Sequence, residues 1–171
     1  MSKILSLVKN VSLFGALLVL VLAYSDLSRN EVIHLYFNLY DVSQMSVSKD
    51  VFFYVPTSFI VVFNLLLIIL TKVIKQAPVR MLPVAHKSFW LKDTQSQFYC
   101  REMFMSWLLS LGFWVNIGII FFIVRVWKIN RAMKGIESDY ASLFYGSIVV
   151  LVIWLIAFLI RINLKKYELI E

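Results

Sequence analysis

The sequence predicts an all-α membrane protein, a bundle of four transmembrane helices with the N- and C-termini in the cytoplasm. Three observations predict this fold. The 171 residues are 61% apolar and only 16% charged, whereas soluble domains average about 45–50% apolar and about 25% charged residues. The few charges leave four long charge-free windows, and most basic residues fall on one side of these windows. The surplus apolar surface is therefore expected to face lipid.

Each charge-free window fits one membrane-spanning helix. A helix that rises about 1.5 Å per residue needs roughly 20 apolar residues to cross about 30 Å of hydrocarbon. The last three windows hold 21, 22 and 21 residues, and the first holds 16. The first span reaches full length if Lys9 extends to the lipid headgroups. The predicted spans cover about residues 5–25, 51–71, 103–125 and 140–160.

The first segment has a second interpretation, a removable signal peptide. Lys3 and Lys9 followed by an apolar run match the beginning of such a peptide. The residues around Ala23 do not form a small-x-small cleavage pattern, because Leu22 and Tyr24 flank it. We therefore expect an uncleaved first helix.

The distribution of lysine and arginine predicts the orientation. The N-terminus, the 72–102 loop and the C-terminal tail together carry eleven, and the 26–50 and 125–139 segments carry six. The more basic side stays in the cytoplasm. This asymmetry also explains the net charge of +7, so we expect no nucleic-acid binding. The 72–102 loop, with Trp90, is expected to contact anionic lipid at the cytoplasmic face.

The two outer segments differ in periodicity. Apolar and polar residues alternate over positions 33–40, as on a half-buried strand, and a coil resting on the membrane surface is the alternative. Beyond the third span, apolar residues from Val126 to Tyr140 recur at helical spacing. The third helix is therefore expected to continue to about residue 135, either projecting from the membrane or bending along its surface.

Two amides interrupt the apolar spans, Asn64 in the second helix and Asn116 in the third. An amide in hydrocarbon needs a hydrogen-bond partner, so we expect both to face the bundle interior and join these helices. The alternative is that the two amides form a polar site on a substrate path. The lack of any ionisable residue in the spans argues against this alternative. Small or polar residues four apart also predict close helix contacts. These pairs are Ser106 and Ser110, Gly112 and Asn116, and Ser142 and Gly146.

No catalytic, metal-binding or cofactor-binding pattern stands in the sequence. It has no HExxH, P-loop, GxGxxG or GxSxG motif. His34 and His86 are predicted on opposite sides of the membrane, and Cys100 is the single cysteine. We expect the chain to be a non-enzyme without a cofactor or metal.

Both halves of the sequence have the same order: a helix, an outer segment and a second helix. The second and fourth helices begin with segments of similar composition, residues 48–54 and 138–145. In both segments Ser and Asp precede Phe-Tyr. This similarity predicts an internal repeat of a two-helix unit.

The segment from Tyr36 to Lys49, followed by Phe53 and Pro56, resembles a small bacterial membrane domain of unknown function. That domain occurs in SdpI-type immunity and signal-transduction proteins. Its loop typically has His, an aromatic residue and Asn, then Gly, then Ser-Lys before an apolar helix that contains Pro. The matching residues are Phe37, Asn38, Ser48, Lys49 and Pro56. Tyr36 stands where the His is usual, and Asp41 where the Gly is usual.

The resemblance covers about residues 8–70 and implies a non-catalytic, multi-pass protein of the bacterial inner membrane. Such a protein would act in sensing or immunity through its outer loop, where the residues to test first are Asn38, Lys49 and Asp50. The alternative is an accessory structural subunit of a larger membrane complex. A homo-oligomer is also compatible with the sequence.

Overall fold

The computed structural model describes residues 2–37, 43–132 and 139–163. Four long helices account for most of these residues, and an antiparallel hairpin lies between the first two. In chain order the elements are α1 (Ser2–Asp26), β1 (Val32–Phe37), β2 (Ser43–Ser48), α2 (Lys49–Gln76), a 3₁₀ turn (Val79–Met81), α3 (Lys87–Trp90), α4 (Thr94–Ala132) and α5 (Asp139–Asn163).

The four long helices are each long and apolar enough to cross a membrane, which confirms the predicted four-helix membrane fold. α4 differs most from its predicted bounds, because it begins at Thr94 instead of about residue 103. Its 39 residues make it about 58 Å long, almost twice the hydrocarbon thickness of about 30 Å. It continues as one helix to Ala132, and the rest of the predicted extension lies outside the described residues.

α4 is the central helix, since it contacts α1, α2 and α5. α1 runs parallel to α4: Lys9 lies against Gly112, and Ser12 bonds Asn116 about one turn further along both helices. Small and short polar side chains at these positions let the two backbones approach closely. The pair α1–α4 therefore forms the main helix interface of the bundle.

α5 runs antiparallel to α4. Phe104 near the start of α4 contacts Phe158 near the end of α5, and Phe122 contacts Phe144 near the start of α5. Residues 2 and 163 therefore lie on the same side of the bundle. The β hairpin lies on the other side, which we call the hairpin side. The predicted internal repeat stays a prediction, because residues 133–138 lie outside the described chain.

The strand pattern in the first outer segment is confirmed as a hairpin. β1 and β2 pair antiparallel, with Ile33 opposite Val47 and Tyr36 opposite Met45. Ile33 is fully buried, and Leu35 and Val47 pack beside it against the helices. A two-stranded hairpin alone is marginally stable in water. Burial of one face against the bundle stabilises this one.

A core of buried residues joins the hairpin to α1, α2 and α4. Its members are Ala16, Leu20, Ala23, Leu27, Ile33, Phe52, Ile60, Ile123 and Val126. Large apolar side chains on the outward faces of α2 and α5, such as Val62 and Ile153, are more than half exposed. Such faces are stable only against hydrocarbon, which accounts for the apolar surplus of the sequence.

On the side opposite the hairpin, the chain between α2 and α4 folds onto the bundle. The expectation that Trp90 contacts lipid was wrong: its side chain is 8% exposed and packs with Cys100 and Phe104. An apolar indole gains more from this cluster than from the headgroup region.

At the start of α4, the backbone N–H of Ser96 donates to Asp93 Oδ1 at 2.6 Å, and this bond lowers the pKa of the Asp93 carboxyl.

Candidate functional site

The hairpin is fixed to the extended end of α4 by one buried amide. Asn130 Oδ1 accepts from the backbone N–H of His34 at 2.8 Å, and Asn130 Nδ2 donates to the carbonyl of His34 at 2.7 Å. The amide therefore pairs with β1 as a neighbouring strand would, because it offers one donor and one acceptor side by side. Asn130 is 3% exposed, and both bonds to His34 are partly buried.

A second group of contacts closes the end of α1 against α4. Trp127 Nε1 donates to Asp26 Oδ2 at 2.7 Å, and Arg131 Nε lies 3.7 Å from the same oxygen. Both side chains of the ion pair are largely exposed, so its contribution is small. The indole bond is the shorter of the two contacts, and it fixes where α1 ends relative to α4.

Lys49, a candidate recognition residue, holds the start of α2 in place. Its Nζ donates to the carbonyl of Ser28 at 3.2 Å and lies 4.3 Å from the ring centroid of Tyr24. Its backbone N–H donates to the carbonyl of Glu31 at 3.2 Å. These contacts give Lys49 a positioning role. Asp50, next along the chain, is exposed.

Asn38, the third candidate recognition residue in this segment, lies outside the described residues.

The hairpin has another exposed feature. Tyr36 and Met45 face each other across the two strands and are 46% and 58% exposed. We call the hairpin together with the α4 end from Val126 to Ala132 the outer platform.

A second polar cluster lies inside the bundle. Asn64 Nδ2 donates to Asn116 Oδ1 at 3.0 Å, and Asn116 Nδ2 donates to Ser12 Oγ at 3.2 Å. Asn116 is fully buried, and Asn64 and Ser12 are 2% and 5% exposed. The amides therefore join α1, α2 and α4 at one level. Because each polar atom has a partner, the cluster is compatible with a hydrocarbon surrounding.

Lys9 adjoins this cluster, which corrects the expectation that its side chain extends to the headgroups. The residue is 3% exposed, and its Cγ and Cδ lie beside Gly112, next to which Leu67 Cδ1 also lies. The sequence argument against transport assumed that the spans contain no ionisable residue, and Lys9 removes that assumption. An ionisable side chain inside a membrane bundle is costly and marks a position worth testing for function.

One predicted small-residue contact is also wrong. A Cβ added at Gly146 meets nothing within 4 Å, so Gly146 does not mark a close approach of helices. Gly112, by contrast, has Leu67 Cδ1 2.7 Å and Lys9 Cγ 2.9 Å from the position of such a Cβ. The pair Gly112 and Asn116 lies where α1, α2 and α4 meet.

Sequence reasoning missed Asn130, although a signal was present. Val126 and Ile129 belong to the predicted apolar stripe, and Asn130 follows Val126 by one helical turn. A polar residue on a buried stripe needs a partner, and the strand pattern of the hairpin offered free backbone groups. The position of Lys9 had no such signal, because a lysine near a helix end ordinarily reaches the membrane surface.

Within the described residues, no three His, Cys, Asp or Glu side chains come together in a way that could hold a metal ion. Comparison of the chain with protein-family models, with curated proteins and with solved structures gave no match. The functional interpretation therefore depends on the outer platform and on the polar cluster.

Replacing Asn130 with alanine should loosen the hairpin without unfolding the bundle. Two hydrogen bonds to His34 are lost, and at about 1 kcal/mol each the His34 amide should exchange with solvent roughly 30-fold faster. Hydrogen–deuterium exchange of the hairpin measures this. Arg131→Ala is the matched control, since its exposed ion pair should matter little. Equal exchange in the Asn130→Ala and unmodified proteins would show that the amide does not hold the hairpin.

Proposed function

We propose that this is a non-catalytic, SdpI-like protein of the bacterial inner membrane that recognises another molecule outside the cell, in sensing or immunity, through its outer platform. The observation that carries the proposal is the pair of bonds between Asn130 and His34. They hold the hairpin against α4, whose length is almost twice the thickness of the hydrocarbon core.

Rigid presentation favours recognition for a physical reason. A loop that is already ordered loses little conformational entropy when a partner binds. In the hairpin, Ile33 and Val47 pack against the bundle, whereas Tyr36 and Met45 are exposed. Exposed aromatic and methionine side chains are typical of binding surfaces.

The contacts of the hairpin also supply a physical reason for the SdpI-like residues. Ser48 Oγ accepts from the backbone N–H of Val51 at 3.3 Å and so caps α2. Lys49 joins the ends of α1 and α2, and Pro56 lies in the first turns of α2. A Ser-Lys pair ahead of a helix thus serves to position a loop. This role supports the resemblance, and it does not involve Tyr36 or Asp41, the two positions that differ from the domain's usual residues.

The second candidate function is that of an accessory subunit in a larger membrane complex. The observation that favours it is the position of α5, which packs mainly on α4. Side chains such as Ile153 and Leu159 on α5 are more than half exposed. A helix of another membrane protein could cover this face by van der Waals packing.

Photo-crosslinking in intact cells that naturally express the chain separates the two candidates. A photoreactive amino acid replaces Met45 on the outer platform or Val62 on the outward face of α2. We expect a discrete adduct from position 45 that disappears when Asn130→Ala is added, and only lipid adducts from position 62. A protein adduct from position 62 with none from position 45 would favour the accessory subunit and contradict recognition by the hairpin.

A further inference from the structure

An apolar groove opens between α2, α4 and α5 towards the lipid. Its volume is about 370 Å³, within the range of about 300–1,000 Å³ that is common for small-molecule sites. α4 forms the floor with Gly118 at its centre, and Pro56 and Ile148 lie on the two walls. The lining is almost wholly apolar, so a polar ligand would lose its hydration there without compensation.

The length of the groove fits a lipid chain. Along α4 the lining runs from Trp114 to Phe122, and eight residue steps give a length of about 12 Å. One leaflet of the hydrocarbon core is about 15 Å thick, half of about 30 Å. The groove therefore follows most of the depth of one leaflet, parallel to the direction of an acyl chain.

A cationic side chain lies just beyond the hairpin-side end of this groove. Arg125 follows Phe122 by three residues on the same helix face, and its guanidinium carbon lies 5.9 Å from the ring centroid of Tyr145. Tyr145 is the neighbour of Phe144, which lines the groove. Within the described part of the chain, Arg125 Nε is buried and has no hydrogen-bond partner. A phosphate oxygen is an acceptor of the kind that this Nε donor lacks among the described residues.

We propose that this groove binds one anionic phospholipid of the hairpin-side leaflet, with an acyl chain between α2 and α5 and the phosphate at Arg125. Charge complementarity favours an anionic headgroup, and guanidinium groups bind phosphate oxygens in a paired geometry. The site differs from the outer platform, and the inference does not depend on the proposed recognition function.

Native mass spectrometry of the full chain in detergent, with equal amounts of phosphatidylglycerol and phosphatidylcholine added, tests the site. The unmodified protein should retain one phosphatidylglycerol in preference to phosphatidylcholine. Arg125→Gln should lower that preference about tenfold, since a charge-assisted contact is lost. Gly118→Leu should reduce retention of both lipids, because it fills the groove. Its new Cβ lies 3.5 Å from Ser147 Oγ, an ordinary contact.

Two matched controls separate the site from general effects. Arg29→Gln removes an exposed charge on the hairpin side, and Gly146→Leu adds the same side chain where nothing lies within 4 Å. Both should retain lipid like the unmodified protein. The proposal is overturned if Arg125→Gln keeps the full preference or if Gly118→Leu retains lipid normally. The proposal is also overturned if Gly118→Leu converts a dimer of the chain into monomers, because the groove would then bind a second copy of the chain.

Discussion

Replacing Gly112 with valine should destabilise the bundle more than any other single change considered for this protein. The first added atom would lie 2.7 Å from Leu67 Cδ1 and 2.9 Å from Lys9 Cγ, both of which belong to buried residues. Leu67 and Lys9 must then move within a packed interior. Overpacking of this kind typically costs about 1–3 kcal/mol of the free energy of unfolding, and the branches of valine place the expected cost in the upper part of that range.

The matched control for this prediction is Gly146→Val. It introduces the same side chain into a helix of the same protein, but the space around Gly146 is open. Any change in helix propensity is therefore shared by the two variants and cancels in the comparison. Denaturant titration of both proteins in the same detergent measures the difference in the free energy of unfolding. Equal stability of the two would mean that α1 and α2 do not meet α4 at Gly112.

Asn116→Leu should produce the second largest loss. It removes the acceptor of Asn64 Nδ2 and the donor to both Ser12 Oγ and Asn64 Oδ1. Asn64 Nδ2 keeps its bond to the carbonyl of Ile60, and Ser12 Oγ keeps its bond to the carbonyl of Lys9, so the buried Asn64 Oδ1 is the atom that loses its partner. Interhelical hydrogen bonds in membranes contribute about 0.6 kcal/mol on average and up to about 1.7 kcal/mol. With these three bonds lost, one of them long at 3.4 Å, and a bulkier side chain introduced, the expected loss is about 1–2 kcal/mol of the free energy of unfolding.

A double-mutant cycle with Asn64→Leu isolates the contact between the two amides. We expect the double variant to be more stable than the sum of the single losses predicts, because neither amide is then left unpaired. Thr71→Val serves as the control, since the Thr71 hydroxyl bonds only within its own helix. Additive losses would contradict the contact. An ion flux in proteoliposomes that the double variant abolishes with the fold intact would assign the cluster, with Lys9, to transport.

The distribution of charges was sufficient to predict the four helices. Hydrocarbon does not solvate charged groups, so the charge-free windows had to coincide with the spans. The alternating pattern around Ile33 likewise predicted a strand, since successive side chains of a half-buried strand point alternately to the core and to the solvent. Both features depend on local sequence, and both are found in the structure.

The contacts that hold the candidate sites together depend on tertiary packing, so they could not be predicted from local sequence alone. Lys9 was expected at the headgroups because a flexible stem usually allows that. Gly112 leaves room for the stem inside the bundle instead. Trp90 was placed at the membrane surface by its amphipathic ring, whereas the chain between α2 and α4 folds back and buries it. Arg125 is one of several basic residues close together in the sequence. The sequence alone does not show which of them lies beside α5, whereas the structure places Arg125 next to Tyr145.

Labelling of single cysteines by a membrane-impermeant thiol reagent tests the central claim most directly. That claim is a four-helix membrane bundle with the hairpin outside the cell and the start of α4 in the cytoplasm. Ser46 and Thr94 are exposed and lie at these two places. A Cys100→Ala background removes the native thiol, which is itself fully buried. Ser46→Cys should react in intact cells, and Thr94→Cys only after permeabilisation. Reaction of both, or of Thr94→Cys alone, in intact cells would contradict the account.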